Sequence, residues 1–316
     1  MSLSCTVTTK KGESMVLVNP ISAEFTADLY DISNKFEAVF PFPDIDNHTD
    51  FISIEVFSDS TLIFSGMIDQ QIDKLDQNGR FFELHCTSYH ARMVQNQVQP
   101  DILANYTSQQ LFEDYAEPYG ITSHNLFPTT CTRLEVTVGM TAWQVIDLFC
   151  RQNYRCIPLL TRDGMLTIDM FSYKYYEIGN QDGAHHYTSI SYIDDRSSIV
   201  STVHMKASEN KFDYSDVYEN LNAQEYNIQR ERYYRPPESW AGLESKGAAE
   251  VIRNSNIKSR IYQITIPEIL DAYPGDLVTF KDDRFKRLDF YIGHTTVRID
   301  KNGAFTNLIL WDMYRV

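Results

Sequence analysis

Two passages more than 200 residues apart share one phrase, and that repetition constrains the fold more than any other feature. The first runs through Gly66, Ile72-Asp73-Lys74, Asn78-Gly79 and Phe81; the second through Gly293, Ile299-Asp300-Lys301, Asn302-Gly303 and Phe305. An aromatic residue stands two positions before each Gly, Phe64 in one copy and Tyr291 in the other. Asn-Gly follows the Ile-Asp-Lys triplet directly in the second copy and after three further residues in the first. Asn-Gly between strand-like runs specifies a tight hairpin, because both residues tolerate positive φ. Two matched hairpins predict an internal duplication in which Gly66 answers to Gly293 and the two Ile-Asp-Lys triplets answer to each other. Two unrelated hairpins are the alternative. A Gly inside a strand run also predicts a bulge or sheet corner at Gly66.

The residues before the first hairpin read as short, closely spaced strands, the pattern of a small barrel or sandwich. Alternation over Phe51–Phe57 puts Phe51, Ser53, Glu55 and Phe57 on one face and Ile52, Ile54 and Val56 on the other. After the turn, Phe82, Leu84 and Cys86 share a face. Strand pairing is expected to end near Gln99-Pro100.

From there the pattern turns helical. Thr107 with Gln110, and Thr141 with Gln144, are capping-box pairs, each opening a run whose apolar residues recur at helical spacing. A strand over Arg133–Val138 lies between them. The hairpin turn Asp163-Gly164 follows, flanked by strand runs over Tyr154–Leu160 and Met165–Met170. The order helix, strand, helix, hairpin predicts an α/β unit over residues 101–175. Residues 172–190 read as a Tyr-rich loop, Ser198–Lys206 as a strand, Trp240–Asn254 as a helix and Ser259–Pro267 as a strand. The polar stretch Ser208–Arg235 carries no clear pattern.

The chain holds 28 Lys and Arg against 43 Asp and Glu, a formal charge of −15 over 316 residues. So acidic a chain is poorly suited to gripping nucleic acid, which requires phosphate neutralisation, but it could line a passage that nucleic acid crosses without sticking. No apolar run approaches the ~18 residues of a membrane span, and the first residues lack the apolar core of a secretory signal. The five Cys form no Cys-x-x-Cys pair and are expected to be reduced and mostly buried.

Chemistry is sparsely signalled. Phosphate-binding, dinucleotide-binding, zinc-protease and serine-hydrolase motifs are absent. His185-His186 lacks further metal ligands at suitable spacing. Asp69, Asp73 and Asp76 lack the Gly and Glu positions of a calcium loop. No catalytic, metal or cofactor-binding residue is therefore assigned, and no cofactor is expected. Tyr233-Tyr234 and Trp240 near Pro236-Pro237 could form sugar platforms, although aromatic residues serve cores and interfaces equally.

The order of these features resembles the hub proteins of phage tail baseplates, the late-control-protein D group with the Mu-type and T4-type hubs. The passages carrying the likeness are Phe64-Ser65-Gly66-Met67-Ile68-Asp69, then Phe82 through Val94, the helix after Ser108 ending at Gly120-Ile121, the Thr141–Cys150 helix leading to Asp163-Gly164-Met165-Leu166, and Pro274-Gly275-Asp276-Leu277-Val278 before the closing hairpin. The likeness covers nearly the whole chain through short motifs. It implies a mainly β, α+β fold: a first antiparallel β-barrel tube domain over 1–100, an α/β domain over 101–175, and a second, similar barrel over 176–316 with a partly helical insertion at about 207–257. It also implies a non-enzymatic virion protein, a homotrimer forming a pseudo-sixfold ring between tail tube and spike. DNA would touch it only in transit. Its place would be the tail baseplate, and the host cytoplasm during assembly. A β-rich carbohydrate-binding tail or surface protein is the main alternative, and a glycosidase with two paired carboxylates a further one.

Overall fold

The computed structural model describes residues 3–43, 49–168, 174–206, 213–234, 244–257, 259–282, 284 and 289–312. The first third is β1 (Leu3–Thr9), β2 (Ser14–Val18), β3 (Ser22–Asp28), β4 (Lys35–Pro41), β5 (Phe51–Ser58), β6 (Thr61–Asp76) and β7 (Gly79–Ser88), then the single-turn α1 (Arg92–Gln95). The middle is β8 (Asp101–Thr107), α2 (Ser108–Tyr115), β9 (Ser123–Asn125), β10 (Thr130–Val136), α3 (Ala142–Asn153), β11 (Leu159–Leu160) and β12 (Met165–Thr167). The rest is β13 (Tyr175–Gly179), β14 (Ser189–Asp194), β15 (Thr202–Met205), β16 (Asp216–Glu219), α4 (Leu221–Glu225), β17 (Glu231–Tyr234), α5 (Glu244–Ile257), β18 (Arg260–Ile266), β19 (Leu277–Lys281), β20 (Asp289–Asp300) and β21 (Gly303–Asp312).

The protein is mainly β. One sheet of thirteen strands runs in the order β14-β18-β21-β20-β3-β4-β7-β6-β5-β1-β2, with β19 on the rest of the β20 edge and β13 beside β19. Among the described residues this is an open path ending in β14 and β2, not a pair of closed barrels. The reason lies in strand length. Only the first part of β20 pairs with the five-residue β19, so its second part is left for β3, from the other end of the chain.

Burial follows the two-residue period of a strand. Phe25, Phe36, Phe40, Phe64, Phe82 and Leu84 pack one core, and Ile264, Ile266, Val278, Phe290, Ile292, Leu308 and Leu310 a second. A third lies under α2 and α3, around Leu111, Leu134, Ile146, Phe149 and Leu166. The small three-stranded sheet β16-β15-β17 packs Val203 and Met205 with Ala248 of α5.

Several sequence expectations are corrected. Phe51 is buried and Ile52 exposed, because Ile52 is an extra residue bulged opposite Thr8 and Thr9 in the β1–β5 pairing, which breaks the alternation before Ser53. Gly66 pairs regularly with Ser88; the bulge in this hairpin falls at Asp69. Pairing does not stop at Pro100, since β8 follows and pairs with β10. Of Tyr154–Leu160 only β11 is strand. The Tyr-rich stretch contains β13 and the start of β14, which draw their partners from residues 260–281. The patternless stretch after 208 supplies β16, α4 and β17. The start of the helix expected from Trp240, and Trp240 itself, lie outside the described residues.

Candidate assembly interface

The repeated hairpins become β6–β7 and β20–β21, and their registers give an alignment that the shared phrase did not. Asp76 pairs with Gly79, and Asp300 with Gly303, closing each turn. In both, the Asp carboxylate accepts a hydrogen bond of 2.7 Å from the backbone N–H two residues on, at Asn78 and Asn302. Gly79 and Gly303 take φ of 129° and 121°, which a side chain would oppose. Phe81 and Phe305 stand two residues beyond, each close over its turn glycine. Counting back from the turns, the bulges coincide at Asp69 and Gly293, seven residues before Asp76 and Asp300. The equivalences therefore read Leu75-Asp76-Gln77 with Ile299-Asp300-Lys301. Gly66 does not answer to Gly293, nor Ile72-Asp73-Lys74 to Ile299-Asp300-Lys301: the phrase was offset by three residues. Each glycine has its own reason. A Cβ on Gly66 would overlap the Thr87 carbonyl, and one on Gly293 the Trp311 indole.

The agreement extends beyond the hairpins. Around the first, the strand order is β3-β4-β7-β6-β5; around the second, β14-β18-β21-β20-β19, antiparallel throughout. Both sets follow the same chain order. Ser53 pairs with Met67 as Leu277 pairs with Tyr291, the same register once the turns are aligned.

The face opposite the cores is continuous across both sets. Paired residues form one row: Ser189, Thr265, Asn307, Thr296, Thr26, Lys35, Thr87, Met67, Ser53, Thr8 and Ser14. Of these eleven only Met67 is apolar, and none is fully buried. The next row carries Arg298, Glu24, Glu37 and His85; His85 lies 3.1 Å from Glu83 and 3.4 Å from Glu37. Glu24, Glu37, Glu83 and Arg298 rim a shallow depression, three acids to one base.

The helix caps lie away from this face. Thr107 accepts from the Gln110 N–H at 3.2 Å and Thr141 from the Gln144 N–H at 3.3 Å, and each Gln returns a bond to the cap backbone, so both capping boxes are complete. A cleft of about 310 Å³ lies between α3, α5 and Trp311. Its charged groups pair with one another: Arg151 bonds Asp147 at 2.7 Å and pairs with Glu250, while Tyr30 and Trp311 stack on each other at 5.4 Å. Burial raises the Asp147 carboxyl above its ordinary value. Beside β19, hydrogen bonds from Arg284 and Tyr187 hold the Asp282 carboxyl well below the usual carboxylate range. Burial pushes the Cys5 thiol up to about 12, and no disulfide joins the five Cys. His185 contacts Glu268 at 2.7 Å, and no group of three or more His, Cys, Asp or Glu among the described residues is placed to hold a metal ion. His204 stacks on Tyr233 at 4.5 Å, so those ring faces cover each other. No helix among the described residues is long and apolar enough to cross a membrane.

Against solved structures, the chain matches the 43 kDa tail protein of prophage MuSo2 from Shewanella oneidensis with a TM-score of 0.78, at 14% identity over 98% of each chain. It matches a tail protein from Neisseria meningitidis MC58 with a TM-score of 0.74, at 16% identity, over 99% of this chain and 97% of that one. The fold is that of phage tail proteins. A third match, TM-score 0.55 at 10% identity over 92% of this chain and 73% of the other, is the Escherichia coli c3393 protein. That protein is a component of the type VI secretion system, described as structurally similar to the T4 tail proteins gp27 and gp5. No protein-family model matches the chain, and no curated protein does.

Proposed function

We propose that this chain is a structural, non-enzymatic hub of a phage or prophage tail baseplate. Three copies form a pseudo-sixfold ring that joins the tail tube to the spike and lets DNA pass. The observation that carries this is the repeated five-strand order. A chain that holds the same strand set twice presents two similar surfaces, and two similar surfaces per copy turn threefold symmetry into near-sixfold symmetry. The likeness to tail proteins over nearly the full length of both chains supports the setting. In this reading the chain divides at about 100 and 175. The two strand sets are the tube units, while the α/β unit and the segment from Thr202 to Ile257 face other baseplate proteins.

The polar face of the sheet lines the bore. Its hydroxyls and amides are neutral, its charged row is acidic on balance, and a formal charge of −15 per copy disfavours phosphate binding. The protein would then sit in the virion tail, with the host cytoplasm as its place of assembly.

Light scattering of the purified chain, with and without the matching tail tube protein, tests the reading together with negative-stain imaging. The expected result is a mass three times that of the chain and a ring of six similar lobes. A chain that stays monomeric with the tube protein present overturns it.

A further inference from the structure

The alignment of the two strand sets exposes one difference between them. The second part of β20, from His294 to Ile299, pairs with β3. The aligned part of β6, from Gln70 to Leu75, has β7 on one side and, among the described residues, no strand on the other. Gln71 turns its side-chain amide onto Thr49 O (2.7 Å) and Phe51 N (3.2 Å), closing off the start of β5 rather than extending it. The counterpart of β3 is β14, which pairs with β18 and ends the sheet path. Among the described residues, the chain thus makes one junction internally and leaves the two sides of a second, similar junction without a strand partner at separate places.

The side chains carry the same message. Phe25 of β3 is 6% exposed, whereas Tyr192, at the aligned position of β14, is 51% exposed. On β6, Leu75 is 78% exposed, whereas its counterpart Ile299 packs against the first core. Apolar residues beside an unpaired strand edge form a template for another strand.

We infer that β6 of one copy pairs antiparallel with β14 of the next copy, in the register that β20 and β3 use within the chain. This deepens the ring reading above and rests on it. Carrying over the pairs Arg298–Glu24 and Thr296–Thr26 sets Lys74 opposite Ser191 and Ile72 opposite Ile193, with Leu75 meeting Ile190 on the core side. Each copy offers one edge of each kind, so the contact is head-to-tail and closes into a ring rather than a twofold dimer. Every junction round the ring is then of one backbone type, alternately within and between chains, with Ile72 and Ile193 standing where the internal junction has Thr296 and Thr26.

Disulfide trapping tests the register. Lys74→Cys and Ser191→Cys both alter exposed residues, and four of the natural thiols are buried, with Cys156 controlled by the single variants. The comparison pair, Gln70→Cys with Ser191→Cys, sits four positions out of register, about 13 Å along the strand and beyond disulfide reach. On mild oxidation the in-register pair is expected to run on a denaturing gel as a ladder ending in a closed covalent trimer. The single variants and the out-of-register pair should stay monomeric. A ring by mass and imaging with no in-register cross-link overturns this junction and leaves the ring reading standing. Cross-linking only within single chains also overturns it. No association under any condition overturns both.

Discussion

The hairpins β6–β7 and β20–β21 share a turn, a bulge position and a strand order, yet they differ in what surrounds them. The register aligns Phe82 with Thr306. Phe82 sits within an aromatic cluster, its ring 5.9 Å from Phe51 and 6.2 Å from Phe42. Thr306 is as fully buried but acts through hydrogen bonds, accepting from Leu270 N at 2.8 Å and donating to Glu268 O at 2.7 Å. At this position one set places a ring in its core, and the other a hydroxyl that holds a crossing segment over the sheet. Strand order and turn chemistry are common to both, and the filling of each core is independent. A repeated backbone plan therefore tolerates unlike interiors, provided each interior is complete.

Phe82→Ala breaks the comparison hardest. Emptying a ring-sized space in a closed aromatic cluster costs about 3–5 kcal/mol, measured by urea unfolding against the parent chain. A cost under about 1 kcal/mol would show that the first core is not centred on this strand. Gly293→Ala comes next, at about 3 kcal/mol, because the new methyl meets the Trp311 indole and the stacked Tyr30 stops that ring from swinging aside. At the aligned bulge in the other hairpin, Asp69 is exposed, and Asp69→Ala should change stability by less than about 0.5 kcal/mol. Equal costs at the two bulges would mean that the glycine serves the bulge itself rather than the ring beside it. Thr306→Val keeps the shape and removes the hydroxyl, leaving the Leu270 N–H and Glu268 carbonyl without that partner, for about 1–3 kcal/mol. Amide exchange at Leu270 should rise with it; if exchange there is unchanged, the hydroxyl is not what holds the segment.

What the sequence made legible was local. The Asn-Gly turns and both capping boxes depend on residues within four positions of one another, so their chemistry can be read from spacing alone. The phrase linking the hairpins was offset because its glycines answer to distant atoms, the Thr87 carbonyl in one case and the Trp311 ring in the other. β13 and the start of β14 were read as loop because their partners lie far along the chain, at β19 and β18. The shared five-strand order was hidden for a related reason. The segment from Thr202 to Ile257 separates β14 from β18, whereas β3 and β4 are joined by a short connection. The exchange of Phe51 and Ile52 followed from a bulge at Ile52, set by pairing with Thr8 and Thr9, more than forty residues away in sequence. As for the interface, the sequence supplied the turn residues, but the polar row belongs to pairing registers and appears only when eleven strands are laid side by side.

The smallest effect tests the turns, where the two hairpins are most alike. Asp76 and Asp300 each accept one hydrogen bond from the N–H two residues on, at the same 2.7 Å. Asp76→Ala and Asp300→Ala should each cost about 0.5–1.5 kcal/mol, the worth of one exposed turn hydrogen bond to a charged acceptor. Both turns close strands of matching register, but Asp300 also pairs with Arg298 at 3.2 Å, so Asp300→Ala should sit at the upper end of that range and Asp76→Ala at the lower. Their strands differ, since β3 flanks β20 up to Ile299, whereas among the described residues no strand flanks β6 on that side. Loss of the Asp76 bond should therefore act mainly on the β6 arm, raising amide exchange most from Leu75 to Arg80. Loss of the Asp300 bond should be felt through β20 by the whole sheet. If β14 of a neighbouring copy covers β6, that contrast should disappear on assembly, and exchange at the two mutated turns should converge.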